Sequence, residues 1–293
     1  MHQYLRAIGF SNIENKKQLH TVLENVVTGA TQKDFVEAGH NSIMVEYSKE
    51  FADSIGLTVR GEFDEDNVFT YEFYYPYCKG IHISTEEDVT VERHAEKETY
   101  AGVCDDIKVG VSLIFYVQNV LLYLKEKNAG NLPKSNTSVT LSGLSLQGKI
   151  MLPINKNEKE KQKIQKAAHN RNHLIAAARQ GDEEAIESLT LEDIDTYTTI
   201  SRKILKEDVF SLVDSYFMPY GVECDQYSIL GEIEDFELVQ NSMTKEEIYI
   251  ITLNCNELLF DICINKADLL GEPQIGRRFK GVVWMQGKIN FPE

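Results

Sequence analysis

The chain has 293 residues and a formal charge of −16, from 30 Lys and Arg against 46 Asp and Glu. With 42% hydrophobic and 26% charged residues it is a folded globular chain, not a disordered polymer, long enough for one large domain or two ordinary ones. So negative a chain repels a phosphate backbone, and nucleic acid is not an expected partner.

The first periodic element is Leu19, Val22, Leu23, Val26 and Val27, one apolar stripe that predicts a helix from about Asn15 to Thr28. From Ser42 onward the pattern turns β-like. Val59 and Phe63, then the alternating Phe69, Tyr71, Phe73 and Tyr75, flank Asp64-Glu65-Asp66-Asn67 and predict a hairpin. Further strands are expected near 88–95, 99–105 and 109–117, then a helix ending at Lys125–Asn128, then a strand over Ser138–Leu152. Residues 156–205 read as wholly helical, with Gly181-Asp182 stopping one helix and capping the next. Thr190-Leu191-Glu192-Asp193 resembles a capping box. Val209, Leu212, Val213, Tyr216 and Phe217 repeat the helical stripe, and strands follow near 227–239, 246–253, 258–264 and 278–291.

Charge follows this division. Residues 1–155 carry −7, residues 156–205 are balanced, and residues 206–293 carry −9. Lys156–Arg179 is locally basic and Asp182–Asp195 wholly acidic, the alternation of a solvated helical region. No apolar run approaches the roughly 18–20 residues that span a bilayer, and Met1–Arg6 lacks the form of a signal peptide. The five cysteines (78, 104, 224, 255 and 263) are odd in number and form no CxxC. Reduced thiols, a cytoplasmic location and no membrane partner are therefore expected.

Gln147-Gly148-Lys149-Ile150-Met151-Leu152-Pro153 matches Gln286-Gly287-Lys288-Ile289-Asn290-Phe291-Pro292 at five of seven places. Each match follows a helical stripe, strands, and Leu113-Ile114-Phe115 or Leu258-Leu259-Phe260. The expected fold is α+β: two β-rich antiparallel units, 1–155 and 206–293, each preceded by an amphipathic helix and joined by a helical block, 156–205. An internal duplication is consistent with this order. The glycine of Gln-Gly-Lys-Ile reads either as a core-strand glycine needed for close backbone approach or as part of a ligand-contacting edge.

Specific chemical signatures are few. His169 and His173 share a helix face, but Arg171 between them suits a solvated face better than a metal, and no metal or other cofactor is expected. Asp64–Asp66 lacks the glycine and the terminal Glu of a calcium loop. His82 and His94 lie in the same half as Cys78 and Cys104, yet nothing local activates either thiol, and buried thiols are common in cores. No Ser elbow or phosphate-cradling glycine loop occurs. The most distinctive segment is Gly276–Gln286, which gathers Arg277, Arg278, Lys280 and the only Trp, Trp284, inside an acidic half. Arg and Trp are enriched at binding hot spots. The candidate ligand-binding residues are Arg277, Arg278, Trp284, Gln286, Lys288, Gln147 and Lys149.

The opening Met1-His2-Gln3-Tyr4-Leu5-Arg6-Ala7-Ile8-Gly9-Phe10-Ser11, with Tyr216–Glu223, Arg278-Phe279-Lys280-Gly281 and Trp284, resembles an uncharacterised bacterial family. Its members are cytoplasmic proteins of about 290 residues from anaerobic Gram-positive bacteria, filed as a domain of unknown function. The resemblance implies no activity, cofactor or site. The functional expectation is a non-enzymatic binding or regulatory protein that takes a protein or small-molecule ligand. The alternatives are an enzyme with a site between the two units, and a self-associating structural protein.

Overall fold

The structure, a computed structural model, describes all residues except 1, 38–42, 64–68, 94–98, 107, 134–135, 155–157, 205–212 and 293, and omits some side chains of the long helices. A 3-10 turn at Gln3–Ile8 leads to α1, Lys16–Thr28, whose first turn is capped by the Asn15 side chain accepting the Gln18 amide at 3.0 Å. Val22, Leu23 and Val26 of the expected stripe are buried. Strands β1 (Gln32–Glu37), β2 (Ile43–Ala52), β3 (Ile55–Phe63) and β4 (Phe69–Cys78) then form an antiparallel meander. The expected turn residues of the β3–β4 hairpin lie outside the described residues.

The second sheet has ten strands drawn from both halves of the chain. Strands β5 (Thr90–Arg93), β6 (Tyr100–Cys104) and β7 (Leu113–Val117) precede α2 (Val120–Ala129) and the long β8 (Ser138–Met151). The helices α3 (Glu158–Arg179) and α4 (Glu183–Ile204) follow. The remaining strands are β9 (Tyr216–Pro219), β10 (Gln226–Gln240), β11 (Glu247–Cys255), β12 (Leu258–Asn265), β13 (Leu269–Leu270) and β14 (Arg278–Asn290). Five of them close a ring. β8 pairs with β12 in parallel, and the antiparallel ladders β12–β11, β11–β10, β10–β14 and β14–β8 complete a barrel. Beyond β10's reach, β14 pairs in parallel with β7, so the three-stranded meander β5–β7 extends from the barrel.

One sheet draws on both expected segments, 1–155 and 206–293. β8 belongs to the first segment by sequence and completes the barrel of the second, so a boundary at 155 does not coincide with a sheet boundary. The expected second amphipathic helix is corrected at its C-terminal end. Residues 209–212 lie outside the described residues, but Tyr216 and Phe217 are in strand β9, with Phe217 opposite Ile229 and its ring 4.5 Å from that of Tyr227. Burying Phe217 in the barrel and pairing its backbone with β10 outweighs the local 3.6-residue period. Thr190 is no N-cap either. Asp182 already accepts the Glu184 and Ala185 amides at 3.0 and 3.2 Å, so α4 starts earlier and Thr190 lies inside it, donating to the Ile186 carbonyl.

One core fills the barrel, with Phe115, Leu253, Phe260, Ile262, Phe279 and Met285 among its members. A second core lies between the meander sheet and the barrel's outer wall, joining Leu5, Phe51, Leu57 and Val59 to Leu144, Cys263 and Trp284. The Gln-Gly-Lys-Ile glycines serve the barrel core. A Cβ on Gly148 would lie 2.3 Å from the Phe279 ring, and one on Gly287 would lie 2.5 Å from the ring of Phe115. Each strand glycine therefore makes room for an aromatic ring.

All five cysteines are free, four of them buried and only Cys224 exposed. Burial pushes the Cys104 and Cys255 thiols up to about 12, which suppresses their reactive thiolates. Titration of the native protein with a thiol-reactive chromogen is expected to give one fast equivalent, and titration in denaturant five. A second fast thiol in the native protein would show that one of these cores opens readily.

Candidate functional site

A cleft lies between the meander sheet and the turn from β7 to α2, with a volume of about 430 Å³. Strand alternation builds its floor. Glu46 and Ser48 of β2 stand opposite Arg60 and Thr58 of β3, and Thr58 stands opposite Tyr75 of β4, so the five share one sheet face. In sequence, alternating polar residues such as Glu46, Ser48 and Glu50 look like a solvated strand face. Here α2 and the barrel cover it. Gln118, Asn119, Leu121 and Lys288 line the opposite side.

An ion pair dominates the floor. Glu46 is 8% exposed and Arg60 1%. The Arg60 guanidinium donates to Glu46 Oε1 through Nε at 2.7 Å and also through Nη2. Both bonds end on Oε1, and Oε2 takes no hydrogen bond among the described residues. Burial raises the Glu46 carboxyl above its ordinary range, opposed by Arg60 and assisted by Asp34. Burial alone would lower Arg60, but Glu46, Tyr116 and Tyr75 outweigh it and keep the guanidinium charged. Around the pair, the Ser48 and Thr58 hydroxyls bond each other at 2.8 Å, and the Tyr75 hydroxyl donates to the Gln118 carbonyl at 3.0 Å. Lys125 pairs with Asp34 and Lys79 with Glu50 at the rim, while Lys288 makes no ion pair among the described residues.

Of the residues expected from sequence, all but Arg277, which precedes β14, are spread along β8 and β14. Trp284, Gln286 and Lys288 alternate on β14. Trp284 is 6% exposed, stacks on Tyr4 with centroids 5.2 Å apart, and donates from Nε1 to Asp225 at 2.7 Å. Gln286 is buried, donating to the Pro76 carbonyl and accepting from Gln118, both at 2.8 Å. It joins the barrel wall to β4. Arg278 is buried and donates to the carbonyls of Leu152 and Val213 at 3.0 and 2.8 Å, and burial lowers its pKa. Arg277 is half-buried and donates to the Glu272 carbonyl at 3.2 Å. Gln147 and Lys149 line a second, wider cleft of about 770 Å³ at the other end of the barrel. Lys288 stands opposite Thr140, nine residues along β8 from Lys149, which places the two lysines roughly 30 Å apart. The two Gln-Gly-Lys-Ile segments thus do not converge on one cavity.

Sequence reading missed Glu46, Arg60, Thr58 and Tyr75 as a group. The available signal was a lone Arg60 directly after the apolar-rich run Ile55–Val59. Among the described residues no group of three or more His, Cys, Asp or Glu side chains is placed to hold a metal ion. None of their helices is long and apolar enough to cross a membrane.

Fold and cleft together define an α+β protein: a five-stranded barrel walled by a second sheet, with a polar recess between them. The model of the family described as "Domain of unknown function, E. rectale Gene description (DUF3881)" matches residues 5–287, and the chain belongs to that family. No curated protein and no solved structure matches it.

Proposed function

We propose that the chain is a non-enzymatic binding protein whose ligand sits in the cleft over Glu46. The observation that carries this reading is the one-sided ion pair. Glu46 lines the cleft and spends Oε1 on Arg60, while Oε2 takes no hydrogen bond among the described residues. A carboxylate locked to a permanently charged guanidinium is a fixed, preorganised acceptor. With Ser48, Thr58 and Gln118 beside it, it suits a small polar ligand that presents an ammonium or hydroxyl donor. The volume is that of a small-molecule site. A second reading, an enzyme using Glu46 to move a proton, is favoured by its raised pKa and by nearby Asp34.

Melting curves taken with millimolar polyols, primary amines and amino acids are the test. At least one class is expected to raise the melting temperature, and Ser48→Ala, which leaves the ion pair intact, is expected to reduce the effect. Silence across all three classes sinks the binding reading. Conversion of a binder, seen by NMR, would replace it with the enzymatic one.

We propose further that the ten-stranded sheet descends from a duplication. In each half the third strand of a meander joins, in parallel, the last strand of the other half: β7 to β14 with Tyr116 opposite Gln286, and β12 to β8 with Asp261 opposite Ser142. Cys104 opposite Leu113 then corresponds to Cys255 opposite Leu258. In that alignment Ser142 matches Gln286, so the two matching heptapeptides are five residues out of step and do not support it. The four buried free thiols support a reducing, cytoplasmic location.

A further inference from the structure

Asp34 on β1 stands directly opposite Glu46 on β2, and both line the cleft of about 430 Å³. Side chains opposed across an antiparallel ladder share one face with their Cβ atoms about 5 Å apart, so two carboxylates there repel each other. Each has its own cation, Arg60 for Glu46 and Lys125 for Asp34. Both pairings are one-sided. Glu46 uses only Oε1, and Asp34 uses only Oδ1, which accepts from Lys125 and, at 2.9 Å, from the Phe35 amide. Neither Glu46 Oε2 nor Asp34 Oδ2 takes a hydrogen bond among the described residues. Asp34 also helps to raise the Glu46 pKa, so the two carboxylates feel each other despite their cations. The opposite wall has the reverse imbalance. Gln118, Asn119, Leu121, Leu122 and Lys288 line it, with no acid among them. Gln118 donates to Cys78 and Gln286, and Asn119 to the Ile289 carbonyl. Lys79, also in the lining, pairs with Glu50, whereas Lys288 makes no ion pair among the described residues.

We propose that the ligand of this cleft is a free amino acid, its ammonium held by Glu46 and Asp34 and its carboxylate paired with Lys288. This rests on the binding reading above and adds the ligand's second charge. An ammonium carries a full positive charge and three donors. It serves both open oxygens and turns the repulsion between the carboxylates into two attractions, which a hydroxyl with a single donor does not. At the other end, the ligand's carboxylate meets the one lining cation that has no acid of its own among the described residues.

Straight-chain amino acids from glycine to ε-aminocaproate are titrated into the protein by calorimetry, with melting temperature as a second readout. Each is compared with the alkylamine that carries a methyl group in place of the carboxylate. One chain length is expected to bind about tenfold more tightly than its amine. Lys288→Gln is expected to erase that margin and leave the amine unchanged, and Lys288→Arg to keep most of it. Lys17→Gln, at an exposed position on α1, makes the same change in net charge and is expected to leave both unchanged. Asp34→Asn is expected to weaken amine and amino acid alike, by about tenfold. An amine that binds with no gain from a carboxylate at any length overturns the amino-acid assignment and leaves the binding reading standing. So does a gain that survives Lys288→Gln, an Asp34→Asn protein that binds both as well as the parent, or binding of polyols in place of amines. Silence from every amine, amino acid and polyol overturns both.

Discussion

Glu46→Ala is expected to cost the fold about 3–5 kcal/mol at neutral pH, measured by urea unfolding. The loss comes from what remains. Arg60, 1% exposed, would keep its charge between Tyr75 and Tyr116 and lose both hydrogen bonds it donates to Glu46. Arg60→Met removes the other partner and is expected to behave differently with pH. Burial already raises the Glu46 carboxyl, and removing Arg60 removes the charge and the hydrogen bond that oppose that effect. A carboxyl whose folded pKa is raised contributes stability that is fully present below its unfolded value of 4.5 and is lost as pH rises through the folded value. The Arg60→Met protein should therefore be nearer to normal at pH 4 than at pH 7, while Glu46→Ala, which has no carboxyl to neutralise, gains no such relief. Replacing both residues by Met should restore most of the stability, because the net worth of a buried pair is small even when breaking it is costly. A Glu46→Ala loss below about 1 kcal/mol would mean that water reaches Arg60 and that the pair is a surface contact.

Between pH 10 and 12 the fold is expected to lose stability steeply. Burial pushes the Tyr4 and Tyr227 phenols up to about 12, and Tyr75, Tyr77 and Tyr116 higher still. In the unfolded chain each ionises near 10. Since the folded values are the raised ones, their contribution is complete below pH 10 and is lost as pH climbs through the folded values. For fully enclosed Tyr227 a two-unit shift is worth roughly 3 kcal/mol, so a few such groups rival the whole net stability of a domain. Absorbance at 295 nm should show the exposed phenols titrating smoothly and the buried ones appearing together, coincident with loss of the β-sheet circular dichroism. Complete phenol ionisation near pH 10 with the sheet signal intact would refute the enclosed positions of these rings.

Local signals located most elements. Asn15 with the Leu19–Val27 stripe marked α1, the alternating aromatics marked β4, and Gly181-Asp182 marked the break between α3 and α4. These succeeded because the deciding interactions are short-range: a cap, a pleat, a glycine stop. The segment around Tyr216 and Phe217 failed because its apolar spacing suits a helix while its burial partner, Tyr227, lies across a strand pairing. The polar recess failed for the opposite reason. Glu46 and Ser48 carry the pattern of a solvent-facing strand, and only the packing of α2 and the barrel over that face turns a surface stripe into a cleft floor.

The sequence by itself determined that this is a folded acidic α+β chain of the family its opening residues resemble. It also located α1, the break between α3 and α4 and most of the strands, and placed the Gln-Gly-Lys-Ile glycines in strands. Those properties follow from composition and from interactions within a few residues. Only the tertiary structure decided that β8 closes a barrel with strands more than a hundred residues away, that Arg60 meets Glu46 inside the protein, and that Asp34 stands opposite Glu46. Each depends on strand register between distant segments. A shift of one residue in any ladder would turn these side chains to the opposite face of the sheet.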